Sequence, residues 1–329
     1  MFSAKGKGKE PAPTTPLPGQ SSGSNPAASL SSLWAYLLPA LNHIVKSPTN
    51  NLDSKKAPPI DMVFYAGIHT ACYNYFTSQS EKKPNSRTSG EAASGTDLYE
   101  QMDKYFMEAA REIMLGVPQD DSALVHYIVP CFTRYSAGAM SVNRLLNYVN
   151  RHYVKRAVDE DRGWLRLNDV LESVAKNITP EDSREKISEI LREKRTDELK
   201  KWGYKVDGSG ESMSSAEACA EAASPPDRIV SVASLAHRRF RTEVFEPLLA
   251  VPVIKGKKTK NKIPKAAGPP PLPKGRLARA VKELLESKGG DEEERARLAS
   301  ELAAALRLVG VRSEHPLRKR LDKFLASTP

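Results

Sequence analysis

The chain has 329 residues, enough for one or two domains, with 40% hydrophobic residues to build a core and 24 prolines and 19 glycines to divide it. Its net charge of +10 invites a nucleic-acid reading, but residues 253–282 hold ten Lys or Arg and no acid, so the rest of the chain carries 40 side chains of each sign and the excess belongs to a linker. Three well-separated cysteines, Cys72, Cys131 and Cys219, exclude a disulfide framework, and with no run of about 18 apolar residues and no apolar signal segment, a soluble protein of the cytoplasm and/or nucleus, away from membranes, is expected.

Residues 1–29 are rich in Pro, Ser, Gly and Lys and are expected to be a disordered tail, because they bury too little surface to offset ordering entropy. Helical spacing then begins at "SSLWAYLLPALNHIVKS", with Ser31 or Ser32 as cap and Pro48 as stop. "PPIDMVFYAGIHTACYNYFTS" gives a second helix with Ile60, Val63, Phe64, Ile68, Ala71, Cys72 and Tyr75 on its apolar side. "DLYEQMDKYFMEAAREIML" gives a third, ended by Gly116 and Pro118. From Asp120 to Val158 the apolar spacing runs on across Pro130, which predicts one long helix kinked there.

Residues 165–203 keep a helical but highly charged pattern expected of a solvated insertion, and residues 205–227 are small and polar, hence a loop. "RIVSVASLAHRRFRTEVFEPLLA" resumes an amphipathic helix, and two more follow the basic linker, in "RLARAVKELLESK" and "DEEERARLASELAAALRLVGV". With no hairpin signal and no useful alternating run, the fold class is all-α.

Catalytic chemistry finds no foothold. "KGKGK" and "GSGES" have no preceding strand, so neither is a phosphate loop, and no HExxH or GxSxG motif occurs. His126 and Cys131, five apart, fit core packing better than metal ligation, and the carboxylates sit in solvated runs. No metal, cofactor or enzymatic activity is expected.

The informative stretch is "NYVNRHYVKR", residues 147–156. At 100° per residue Tyr148, Arg151, His152 and Lys155 fall within about 100° of one another, apart from an apolar face of Val142, Leu145, Leu146, Val149 and Tyr153. "YVNRHYVKRAVDEDRG" resembles the fifth-helix signature of cullins, the scaffolds of multisubunit ubiquitin ligases. "FYAGIHTACYNYFTS" resembles the family's second helix with its Tyr-Asn-Tyr ending, "LWAYLLPAL" its first, "DLYEQMDKYF" its third, and "SLAHRRFRTEVFEPLLA" a later segment.

The resemblance implies a first-repeat helical domain over residues 31–310, with insertions at about 176–227 and 252–275, and with residues 311–329 as a tail or the start of a second repeat. It also implies a non-catalytic scaffold in ubiquitin-dependent protein catabolism. The partner would be a BTB/POZ-fold adaptor of SCF type carrying an F-box protein. Carried over by motif position, the adaptor-binding residues are Tyr65, Ala66, His69 and Tyr73 on the second helix and Tyr148, Arg151 and His152 on the fifth. SCF-type members commonly carry Met and Tyr where this chain has Ala66 and His69, a loss of roughly 2 to 4 kcal/mol at a hot spot, so weakened or retargeted binding is expected. The family continues into a C-terminal domain that recruits a RING subunit; residues matching it are missing here, and no RING subunit is expected on this chain. Two other readings concern the linker: nucleic-acid binding through residues 253–282, which lack interleaved aromatics, and nuclear import through "KGKKTKNKIPK".

Overall fold

The computed structural model describes residues 25–47, 56–81, 95–179, 181–205, 210–251, 275–287 and 291–327. It is an all-α bundle, as the periodicity predicts. The first four helices are α1 (Leu30–Lys46), α2 (Met62–Glu81), α3 (Thr96–Leu115) and α4 (Asp121–Leu145). A fifth, α5, spans 147–159 and contains a π-helical turn at Asn150–Val154. Then come α6 (Leu167–Val174), α7 (Arg184–Lys200), α8 (Gly210–Ala223) and α9, which spans 232–249 with a second π turn at Arg241–Phe245. The last three are α10 (Arg276–Glu286), α11 (Glu292–Leu308) and α12 (Pro316–Ser327). None of the described helices is long and apolar enough to cross a membrane.

Two helices organise the rest. α4 packs against α1, α9, α10 and α11, while α9 packs against α3, α4 and α8. The reason is sequence period: α4 buries Leu124, Val125, Ile128, Phe132, Tyr135, Ala139 and Val142, which recur every three or four residues. α9 is buried almost all round from Val232 to Arg238. One continuous apolar core runs from Leu33 on α1 to Leu321 on α12.

Several expectations need correction. α1 is capped by Ser29, whose Oγ accepts from Ser32 N at 3.1 Å; Asn25 and buried Ala27 precede it, so the last five residues of the predicted disordered tail are ordered. Residues 1–24 of that tail, and Pro48, lie outside the described residues. Val63 is not on the buried face of α2: it is 78% exposed, because at 100° per residue it lies about 140° round the helix from the buried Ile68. α4 runs through Pro130 as expected, but the helix does not continue unbroken to Val158: it breaks at Leu146 (φ −100°, ψ 30°). His126 is exposed, 3.8 Å from Glu294, rather than packed in the core.

The largest correction is α8. Residues 210–223 form a helix, not a loop, and bury Ala216, Cys219, Ala220 and Ala222 against α9. A run of Ala reads as low complexity, yet alanine is the strongest helix former and its small side chain lets two helices approach closely. Within the expected 176–227 insertion, residues 210–223 thus pack on α9, while the highly charged α7 packs against α6 and α8. Residues 311–327, left open as a tail or a new repeat, form α12, which lays Leu317 and Leu321 on the core. Of the expected insertion at about 252–275, residues 252–274 lie outside the described residues.

Candidate docking surface

α2 presents an exposed stripe to one side of the bundle. Asp61 starts the helix, its Oδ1 accepting from Val63 N at 2.9 Å and Phe64 N at 3.2 Å. Ile68, Ala71, Cys72, Tyr75 and Phe76 then turn inward, and burial pushes the Cys72 thiol up to about 12, so it is an inert packing group. Met62, Ala66, His69 and Tyr73, spaced by four, three and four residues, turn outward; Met62 is 76% and Tyr73 53% exposed.

The far end of α2 is fixed to α3. The Tyr75 hydroxyl donates to Asp97, Gln79 Nε2 donates to Asp97 Oδ2 at 3.0 Å, and Gly95 N donates to Gln79 Oε1 at 2.9 Å. Gly95 has φ +91°, and a Cβ there would lie 2.3 Å from the Phe76 ring, so only glycine lets α3 begin this close to α2. Phe76 is thereby held beneath Tyr148, 5.2 Å between ring centres.

α5 supplies the other half. Tyr148 meets Tyr73 edge-on at 5.8 Å and stacks on His152 at 4.0 Å. Partial burial, and then the neighbouring Tyr73, raise the Tyr148 phenol, which stays a neutral hydrogen-bonding group. Arg151, His152 and Lys155 are exposed, whereas Val142, Leu145, Leu146 and Val149 are fully buried. At the other end Tyr65 is tilted against His69 at 4.8 Å, and its hydroxyl donates to Arg144 O at 3.4 Å, a carbonyl in the last turn of α4.

All seven residues singled out in the sequence therefore lie along two adjacent helices, and Tyr73 and Tyr148 join the halves. Ala66, at the centre of the α2 stripe, is exposed but offers only a methyl group. Sequence reasoning missed Phe76, which underlies Tyr148, and Met62, which extends the stripe; the first directly follows Tyr-Asn-Tyr and the second heads the helix. Aromatic faces, an Arg and a His on a firm helical support suit recognition of another protein. Among the described residues no group of His, Cys, Asp or Glu could hold a metal ion.

With this geometry in place, comparison with known proteins is informative. The chain is 24% identical over 135 residues to Cell division control protein 53 of Saccharomyces cerevisiae, which covers 39% of this chain and 16% of that protein. It is 21% identical over 140 residues to Cullin-1 of Dictyostelium discoideum, covering 40% of this chain and 17% of that one. These likenesses support a cullin-like relationship. The matched stretch spans about a sixth of the length of these relatives. No family model matches the chain, and no solved structure matches it.

Proposed function

We propose that this chain is a non-catalytic scaffold module that docks an SCF-type adaptor of BTB/POZ fold, and with it an F-box protein, in a ubiquitin-ligase context. The observation that carries the reading is the contact between Tyr73 and Tyr148, which merges the outer faces of α2 and α5 into one aromatic surface edged by Arg151 and His152. Surfaces of this composition concentrate binding energy, since aromatic rings and Arg give large contact area at modest entropic cost. The likeness to Cullin-1 and Cell division control protein 53 supports the choice of partner. At Ala66 and His69 the surface is flatter than the family pattern, so its affinity is lower than that of an SCF cullin or its adaptor differs.

The test is a titration of purified adaptor against the wild-type chain, Tyr73→Ala with Arg151→Ala, and Ala66→Met with His69→Tyr, with circular dichroism on each. The first pair is exposed, so the fold survives and binding weakens by about 100-fold, equivalent to ~3 kcal/mol. The second pair strengthens binding. No binding by the wild type and none by the strengthened pair overturns the reading.

A further inference from the structure

The first turn of a helix leaves backbone amides without partners inside the helix. In α9 the N-cap position is Ser231, a residue type that usually accepts from the second or third amide. Its side chain makes no such bond; the hydroxyl lies 2.7 Å from Glu221 Oε2 and 3.0 Å from Ser234 Oγ. The amides are taken instead by two asparagines from elsewhere in the chain. Val232 N donates to Asn150 Oδ1 at 3.0 Å, and Ala233 N donates to Asn143 Oδ1 at 3.1 Å.

The two asparagines are also bonded to each other, Asn150 Nδ2 donating to Asn143 Oδ1 at 2.9 Å. Each side-chain oxygen thus faces an N–H, which settles how both amides are turned. Seven residues rise about 10.5 Å in an unbroken α-helix, too far for two such short side chains to meet comfortably. The break at Leu146 lets them close. Asn150 is the first residue of the π turn that carries Arg151 and His152. Such turns recur at functional sites.

We propose that the Asn143–Asn150 pair is a positioning device: by fastening the π turn of α5 to the N-terminus of α9, it sets where Arg151 and His152 stand relative to Tyr148 and Tyr73. α9 is a rigid reference because it is buried on nearly every side. Tyr153, packed on Tyr99, and Val154 hold the turn inward, and Asn150 adds three directional bonds that tie it to Asn143 and to the first turn of α9. The consequence for binding rests on the docking reading above; the consequence for geometry does not.

The experiment compares Asn150→Ala, Asn143→Ala and Asn143→Asp in the full chain. Two readouts are taken: adaptor affinity at a temperature where every variant is folded, and the ring-proton NMR shifts of His152, which sense the stacked Tyr148 ring. Asn150→Ala weakens affinity about tenfold and moves the His152 signals, since it removes all three side-chain bonds of Asn150, to Asn143 Oδ1, Asn143 O and Val232 N. Asn143→Asp retains the oxygen that both of its bonds use and behaves as wild type, whereas Asn143→Ala does not. If Asn150→Ala fails to fold, Asn143→Ala, which keeps the Asn150 to Val232 bond, carries the same test. A purely structural role lowers the melting temperature while leaving affinity and His152 shifts unchanged, and that result overturns the proposal. If the wild type does not bind adaptor, the docking reading fails, and the His152 shifts alone decide the positioning role.

Discussion

Asn150-Arg151-His152-Tyr153 and His237-Arg238-Arg239-Phe240 look alike as sequence: each combines Arg, His and an aromatic, and each lies in or directly before a π turn. Their environments are opposite. His152 is exposed and stacks on Tyr148, while His237 is buried against Phe132, with Ser136 Oγ 2.9 Å from its Nε2. Arg151 faces solvent; Arg238 is 2% exposed and donates to Pro225 O at 3.1 Å, Arg228 O at 2.9 Å and Ser224 Oγ at 3.2 Å. Side-chain chemistry of one kind thus faces solvent in α5 and cross-links the interior in α9. What differs is the packing: α5 has solvent on its outer side, whereas α9 is covered by α3, α4 and α8.

The sharpest way to break this contrast is to truncate both arginines. Arg238→Ala removes a buried side chain and its bonds to Pro225 O, Pro226 O, Arg228 O and Ser224 Oγ and destabilises the chain by about 3 kcal/mol, while Arg151→Ala changes stability by less than about 0.5 kcal/mol. Urea unfolding followed by circular dichroism measures both, and comparable losses would erase the distinction.

The second test uses pH. Burial pushes the His237 imidazole down from 6.5 to about 4. Between those values the unfolded chain binds the proton and the folded chain does not, so stability present above pH 6.5 is lost as pH falls through the window, by up to about 3 kcal/mol. His237→Gln removes the titration, and subtracting its stability profile from that of the wild type isolates this group from Glu221, whose carboxyl burial raises. A difference that stays flat from pH 6.5 to 4.5 would show that His237 is solvated like its exposed counterpart.

The smallest effect is on the outer stripe of α2. Ala66→Met with His69→Tyr alters thermal stability by less than about 0.5 kcal/mol, since Ala66 is exposed and the half-buried His69 touches only the edge of Tyr65, where another ring fits. A loss above about 1 kcal/mol in a thermal melt would mean that the stripe supports the fold rather than standing free for a partner.

The legible parts of the sequence were those with strong local signals. The apolar period of α2, α3 and α4, and the separation of Val142, Leu145, Leu146 and Val149 from Tyr148, Arg151 and His152, follow from 3.6 residues per turn and reappear in the burial of those residues. That the second and fifth helices contribute to one face was legible only through the resemblance of two motifs to cullins, and the particular contact of Tyr73 with Tyr148 came from the structure, because nothing local relates positions so far apart in the chain. α8 was missed because its Ala and Ser run has no strong apolar contrast to mark a face.

From the amino-acid sequence alone come the all-α class, most helix positions, the neutral balance outside the basic linker and the outward stripe of 147–156, since each is written in short-range spacing and composition. The tertiary structure alone decides that one His-Arg segment is surface and the other core, that a small-residue run becomes a packed helix, and that Asn143 and Asn150 cap a helix more than 80 residues away. Burial and partnership are properties of what packs against a residue, and the chain brings those neighbours from distances that no local pattern records.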